Sequence, residues 1–513
     1  MQPARVWGLG GVALAGTALA SCNLMLGFDR YFDAGDKGSS ASSAHGGADG
    51  GGGGTGGTGG AVLPPGAALW AHALGTSGED TVKAIAVSPM TGNIFLTGKT
   101  GAADTLGCPN VVPDAGPSTG GYLIEVNEQG HCIWGLFFGL GAEGTGVAVD
   151  SNDNLALTGT FTGDLSLYDL TPPTLVHQSA FVARIRANRT SPWAHLISSK
   201  GANTVSTTGV AMTTQHVYFG GFSNGELNID FTPGTAPLSG GQDGFVLDCV
   251  ASDAGTCKVG VTVSGTGTTD QQVLGVAANR PGDELSIAGV SGGDTGFNSA
   301  IVTMAPAGAS MSPNAIVASF LTSNYSPRRG SMFGGGKPQT GQCVAYDDAG
   351  ALLFAGTYDT AIKLTTSSLS SKAAPSVFLT RFDPMMMAAT KQVSLTAGLT
   401  GTGNDEDVHG LTADATGNVV MVGTLRGTAS LGSLSATSVG GDDIYVARLD
   451  AALNPLWLAS FGGVGAESAD AVALAADGDI IVTGHFDGKL SFGKDALTSK
   501  GGNDIFIAKL KAH

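Results

Sequence analysis

Charge is scarce in this 513-residue chain: only 13% of it is Asp, Glu, Lys or Arg, and the acids outnumber the bases to leave a net charge of −17. With 25 basic residues in all, the chain lacks the clustered Lys and Arg that neutralise phosphates, which argues against a nucleic-acid binder. Aromatic residues are few, at 7%, and no stretch sustains a helical period, which argues against a helical fold. No H-E-x-x-H pair, G-x-S-x-G elbow or sialidase-like S-x-D-x-G-x-T-W box occurs, and the nine histidines are scattered. The usual marks of a metalloprotease, esterase or sialidase are therefore missing, and no cofactor is called for. One apolar run stands out, Val6 to Ala20, and it is too short for a permanent membrane span.

What the chain has instead is 82 glycines among Val, Ala, Thr and Ser, the composition of many short strands joined by tight turns. Arg5 followed by the apolar run reads as a signal peptide over 1–21. It ends in "LASC", Leu19 to Cys22, which resembles the bacterial lipobox; that resemblance implies cleavage before Cys22 and acylation of its thiol. By resemblance to Gram-negative lipoproteins, Asn23 in the next place implies the outer membrane. The stretch from Asp33 to Gly60, rich in Gly and Ser, has no apolar residues able to order it, and 22–62 reads as a flexible tether. No strand, helix or Lys-Ser/Thr pair flanks its glycines, so they do not form a phosphate-binding loop.

From 63 to 513 the chain repeats. Seven segments each hold an apolar strand, a polar turn and a second strand closing on glycine: they end at Gly98, Gly159, Gly221, Gly289, Gly356, Gly423 and Gly484. Each is a hairpin of strands a and b. A third strand follows seven times, "GYLIEVN" from Gly121, "AFVARIR" from Ala180, "GFVLDCV" from Gly244, "SAIVTMA" from Ser299, "SVFLTRF" from Ser376, "DIYVARL" from Asp443 and "DIFIAKL" from Asp504. A fourth contains Trp70, Trp134, Trp193 and Trp457, with degenerate versions from Cys257, Asn314 and Lys391. Tryptophan at matching places in a repeat is a packing residue between neighbours.

Four strands in seven units predict an all-β, seven-bladed β-propeller. "ALWAHALG" at Trp70 is a lone fourth strand and "DIFIAKL" a lone third, so the amino-terminal strand is expected to complete the last blade and protect its edge. The pattern "DAVALAADGDIIVTGHFDG", Asp470 to Gly488, with "GNDIFIAKL", resembles the bacterial seven-bladed propeller repeat called SBBP. The resemblance covers about Ala67 to the C-terminus and is weakest in the middle. It implies a secreted or surface protein with a binding or scaffolding role, and transfers no catalytic residue.

The acids offer the candidate chemistry. The a-to-b turn "ADGDI", with Asp477 and Asp479, looks like a calcium loop in isolation, but sister turns replace the acids with "PMTG" or "TTQH", so it reads as turn chemistry. Loops joining strand d to the next strand a repeatedly carry acids: Glu79, Asp80, Glu143, Asp270, Asp405, Glu406, Asp407 with His409, Glu467 and Asp470. In a propeller these loops converge near the central channel, where they are either a site for a cation or basic ligand or a solvated rim. Arg328, Arg329 and Lys337 fall in "SPRRGSMFGGGKPQTGQ", Ser326 to Gln342, which reads as a basic d-to-a loop; it would serve either as a clamp for an anionic glycan or as a loop with incidental charge. Among the cysteines, Cys249 and Cys257 face each other across a c-to-d turn, Cys132 reaches Cys108, and Cys343 is left over as a buried free thiol. The expected protein is thus an exported lipoprotein, a monomer attached to membrane through Cys22, whose propeller binds a protein or glycan. The alternative is a propeller hydrolase or lyase with its site at the acidic channel mouth.

Overall fold

The computed structural model describes residues 63–513 apart from 103–104, 114–119, 171–174, 201–202, 231, 234–240, 266–268, 299, 305–312, 335–336, 365–366, 371–374, 384–388 and 398–406. The expected leader, Cys22, the tether, Asp405 and Glu406 lie outside the described residues. Those described form strands and turns with no helix among them.

Seven antiparallel sheets each run a-b-c-d. In blade 1 these strands are Thr81–Val87, Ile94–Thr100, Gly120–Val126 and Cys132–Phe137. Blades 2 to 6 have as strand a Ala142–Val149, Val205–Met212, Gln271–Ala278, Gln339–Tyr346 and Asp407–Ala413. Blade 7 takes Glu467–Leu474, Ile480–Phe486 and Asp504–Leu510, and its outer strand is the amino-terminal Ala68–Leu74, paired from Ala68↔Leu510 to Leu74↔Ile505. The protein is a seven-bladed β-propeller, closed as the repeat predicts. Apolar faces of adjacent blades interleave: Phe95 and Leu123 of blade 1 share one cluster with Val147, Leu157 and Phe181 of blade 2.

Each strand a carries a bulge at one place. The unpaired residue is Lys83, Thr145, Thr208, Leu274, Gln342, His409 or Asp470, and the residue before it faces the glycine that closes strand b, as Val82↔Gly98 and Ala469↔Gly484. At all seven glycines a Cβ would fall far inside 3.0 Å of a strand-a carbonyl oxygen, such as that of Thr81 or Ser468. The bulge pushes that carbonyl towards its partner, and only glycine leaves room.

Strand direction puts the d-to-a loops and b-to-c segments on one face, called the top. The b-to-c segment of blade 3 forms a hairpin that pairs with strand d of blade 2, Trp193–Ser199, through Ile197↔Ile229, and those of blades 4 and 6 pair with strand d of blade 3, Cys257–Gly265, and of blade 5, Ala389–Ala397, through Val263↔Phe297 and Leu395↔Leu431. Each such arm hooks a blade onto the one before it. The bottom face has tight turns: at Asp150 and Asp414 the carboxylate accepts backbone N–H groups two and four residues on, and Asp477 accepts Asp479 N at 3.0 Å and Lys509 Nζ at 2.6 Å. The "DGD" acids are turn and ion-pair groups.

Two expectations need correction. In blade 4 strand c is Asn314–Leu321 and strand d is Pro327–Phe333, whereas the segment at Ala300–Met304, expected as strand c, is the outer half of an arm. The supposed basic loop is therefore largely strand d. Arg328 and Arg329 both pair with buried Glu284, which leaves no open clamp for a glycan. Pro327 suits an edge strand, whose N–H side needs no partner. Second, Cys108–Cys132 and Cys249–Cys257 are disulfides, and Cys343, though fully buried on strand a of blade 5, is not a free thiol; no described cysteine is.

Two glycine substitutions separate close approach from backbone angle. Gly484→Ala should lower unfolding free energy by about 2–4 kcal/mol, because backbone must move. Gly478→Ala, at φ +84° with open space around it, should cost about 1 kcal/mol. Equal losses in denaturant titrations would refute the bulge explanation.

Candidate functional site: the inner belt of bulge residues

Six of the seven bulge residues reach towards the next blade around the channel. Lys83 Nζ lies 3.8 Å from Glu143 Oε1, Thr145 Oγ1 meets Thr207 Oγ1 at 3.2 Å, and Thr208 Oγ1 donates to the Val273 carbonyl at 2.9 Å. Leu274 interrupts the polar series. Gln342 Nε2 donates to Asp407 Oδ1 at 2.5 Å, and His409 Nδ1 donates to the Ala469 carbonyl at 3.0 Å with Asp470 Oδ1 3.8 Å away. The Lys83 charge in turn acts on Asp470, which closes the sequence of blades. Uncharged Thr, Leu and Gln occupy blades 2 to 5, while all the ionic groups sit on blades 6, 7, 1 and the start of 2.

The ionic arc centres on His409. Burial works against its charged form, but the charge of Asp407, the hydrogen bond to Asp407 Oδ2 at 3.2 Å, Asp470 and the Ala469 carbonyl together raise its pKa to about 9. Asp470, also buried, is held below the usual carboxylate range against its own desolvation by His485, His409 and Lys83; His485 Nδ1 donates to it at 2.6 Å. Asp407 is likewise lowered, with His409 outweighing burial and Gln342 and the Val408 N–H adding donors.

Ser468, His409 and Asp407 stand in the order of a hydrolytic triad, with Ser468 Oγ 3.2 Å from His409 Nδ1. The protons are arranged against that role. A doubly protonated imidazole at neutral pH has no lone pair to take a serine proton, and Ser468 Oγ donates to Asp470 at 2.9 Å.

The acids singled out from the sequence therefore separate. Asp407, His409 and Asp470 come together, joined through Lys83 to Glu143. Asp80 is buried and accepts from Thr76 N, Thr76 Oγ1 and Gly101 N, so it braces a loop. Asp270 is exposed and accepts from Gln242 N, while exposed Glu79 accepts from Asn503 N. Glu467 is buried beside Asp443, apart from the His409 group. With Lys83 and His409 among them, the acids do not make a ring of one sign. The residues missed from sequence are Lys83, Ser468 and His485; aligning the seven a strands on the small residue after the bulge (Ala84, Gly146, Gly209, Gly275, Cys343, Gly410, Ala471) would have found the position of Lys83. A cavity of about 240 Å³ on the bottom face, lined by Glu128, Asp477 and Lys509 among others, is smaller than an ordinary ligand pocket.

No known protein family and no curated protein matches the chain. Solved structures do resemble it. Hydrazine synthase of Kuenenia stuttgartiensis is 10% identical over 78% of this chain and 91% of its own, with a TM-score of 0.40. BamB from Moraxella catarrhalis is 9% identical over 83% and 85%, at 0.34, and a protein of unknown function from Bacteroides caccae is 8% identical over 77% and 92%, at 0.31. The fold rests on the strand pairing, and these likenesses assign no activity.

The raised His409 pKa gives a pH prediction. Because its folded value, about 9, exceeds the unfolded value of about 6.5, its stabilisation is complete below pH 6.5 and lost as pH rises through 9. The melting temperature should fall across that window, and His409→Gln should flatten the decline; an unchanged slope in the variant would count against the charged belt.

Proposed function

We propose that the chain is an exported, lipid-anchored binding module whose top face engages a protein or glycan. The observation that carries this reading is the inequality of the two faces. Every b-to-c segment, such as 426–442 and 487–503, opens on the top, while the bottom has turns as short as 475–479. Variable recognition loops on a rigid frame are where binding sites are built. The amino-terminal strand agrees with this: Ala68 pairs with Leu510 at the bottom, so a tether from Cys22 would join the propeller on the face opposite these loops. On that face Val439 and Val464, 64% and 85% exposed, lie on adjoining segments beside Gly440. The SBBP resemblance agrees with a surface role.

The alternative of a hydrolase has one observation in its favour, the Ser468, His409 and Asp407 order, and the proton arrangement opposes it. The belt groups are occupied with each other, so we read them as the frame of a non-enzymatic module.

Three measurements test the reading. Palmitate labelling should depend on Cys22, and label persisting in Cys22→Ala would refute the anchor. Glycan and peptide arrays should give hits that the double substitution Val439→Asp with Val464→Asp weakens at least about tenfold, as expected of a central contact, while Met90→Asp on the bottom does not; no hits, or the reverse pattern, would overturn a top-face module. A fluorophosphonate probe should leave Ser468 unlabelled, and labelling there would establish the enzyme.

A further inference from the structure

Each blade junction repeats one pair of positions: the first residue of strand c, and the residue three before the bulge on the next strand a. At the junction of blades 7 and 1 the pair is Asp504 and Asp80; between blades 6 and 7 it is Asp443 and Glu467. Between blades 4 and 5 it is Asn314 and Gln339.

The two carboxylate pairs have different surroundings, although Asp504 Oδ1 is itself buried with no hydrogen-bond partner. At 7/1, Asp80 accepts from the Thr76 hydroxyl and from two backbone N–H groups. Lys500 adds a positive charge there: its backbone N–H donates to Asp504 Oδ2 at 2.9 Å and its Nζ to the Gly75 carbonyl at 3.0 Å. At 6/7 these aids are replaced. Gly463 stands in the place of Thr76, Val439 in that of Lys500, and Asp487 in that of Gly101. The junction has lost a hydroxyl and an ammonium and gained an acid.

Asp443 and Glu467 are each 1% exposed. Asp443 Oδ2 accepts from Val439 N at 3.0 Å and Glu467 Oε2 from Gly463 N at 3.2 Å, while Asp443 Oδ1 and Glu467 Oε1 are buried with no hydrogen-bond partner. Arg426, on the b-to-c segment of blade 6, is engaged with Asp442. Backbone oxygens complete the surroundings. A methyl at Gly463 would touch both Glu467 Oε1 and the Lys489 carbonyl oxygen, and one at Gly465 would touch Glu467 Oε1 and the Asp487 carbonyl oxygen. Two bare carboxylate oxygens and two carbonyl oxygens, with no His or Cys, are the donor set of a hard divalent cation.

We propose that the junction of blades 6 and 7 binds one calcium ion through Asp443, Glu467 and the Asp487 and Lys489 carbonyls, with water completing the shell. The ion would tie the blade 7 arm to the loop of blade 6. Without it, burial followed by the neighbouring acids raises Glu467 to about 7, and burial raises Asp443 to about 6, the response of carboxylates lacking a counter-charge.

The test uses the full chain, freed of metal by chelator, with titration calorimetry and thermal melting in calcium chloride at pH 8. One calcium should bind per chain and raise the melting temperature by roughly 3 °C at saturation. Glu467→Gln and Asp443→Asn should each weaken binding at least about tenfold yet melt no lower than wild type in chelator, which shows them folded. Asp504→Asn and Asp477→Asn should bind as wild type does. Absence of binding heat and of a melting shift in wild type, or full binding by Glu467→Gln, would overturn the proposal, as would loss of binding in Asp477→Asn alone. Since no ligand of the top face enters the assay, its result is independent of the array result.

Discussion

A single steric relation governs this propeller: the bulge of each innermost strand against the glycine that ends its neighbour. The extra residue in strand a brings a carbonyl oxygen onto strand b, and any Cβ there would collide with it. Because the bulge recurs at one level in seven blades, it sets a common height for seven side chains around the axis. The belt of Lys83, Thr145, Thr208, Leu274, Gln342, His409 and Asp470 follows from it, and so do the links between successive inner strands.

Much of the architecture was readable because the repeat is physical. An apolar strand, a polar turn and a closing glycine are demanded at every blade, so seven copies survive even where other positions drift. The lone outer strand at Trp70 fixed the closure. Blade 4 was misassigned because its arm, "SAIVTM", has the alternation of a buried strand, while its true outer strand, "PRRGSMF", begins with proline and carries two arginines. Period alone does not distinguish an arm from a blade strand. Only pairing partners do, and those are non-local.

The site was less readable. The acids were found, but their partners lie some sixty residues away, one blade along: Asp407 with Gln342, His409 with Asp470, Glu143 with Lys83. A sequence shows that an acid is present and not whether a lysine one blade earlier neutralises it. Asp80 and Glu467 occupy equivalent places, yet one is saturated with donors and the other has an oxygen that no donor reaches, a contrast created by Thr76 and Gly101. The belt as a set escaped notice because its seven places are filled by six residue types, Lys, Thr, Leu, Gln, His and Asp; what repeats is the small residue behind them.

The closure of the ring has a mechanical side. Strand d of blade 7 begins at the bottom and runs to the top, held to Asp504–Leu510 along its length from Ala68 to Leu74. A pull on the amino-terminal end, opposed by a load on the top face, acts along that strand. The rungs are then sheared together instead of being peeled one after another, so the seam that joins the two ends of the chain is strained in its most resistant direction.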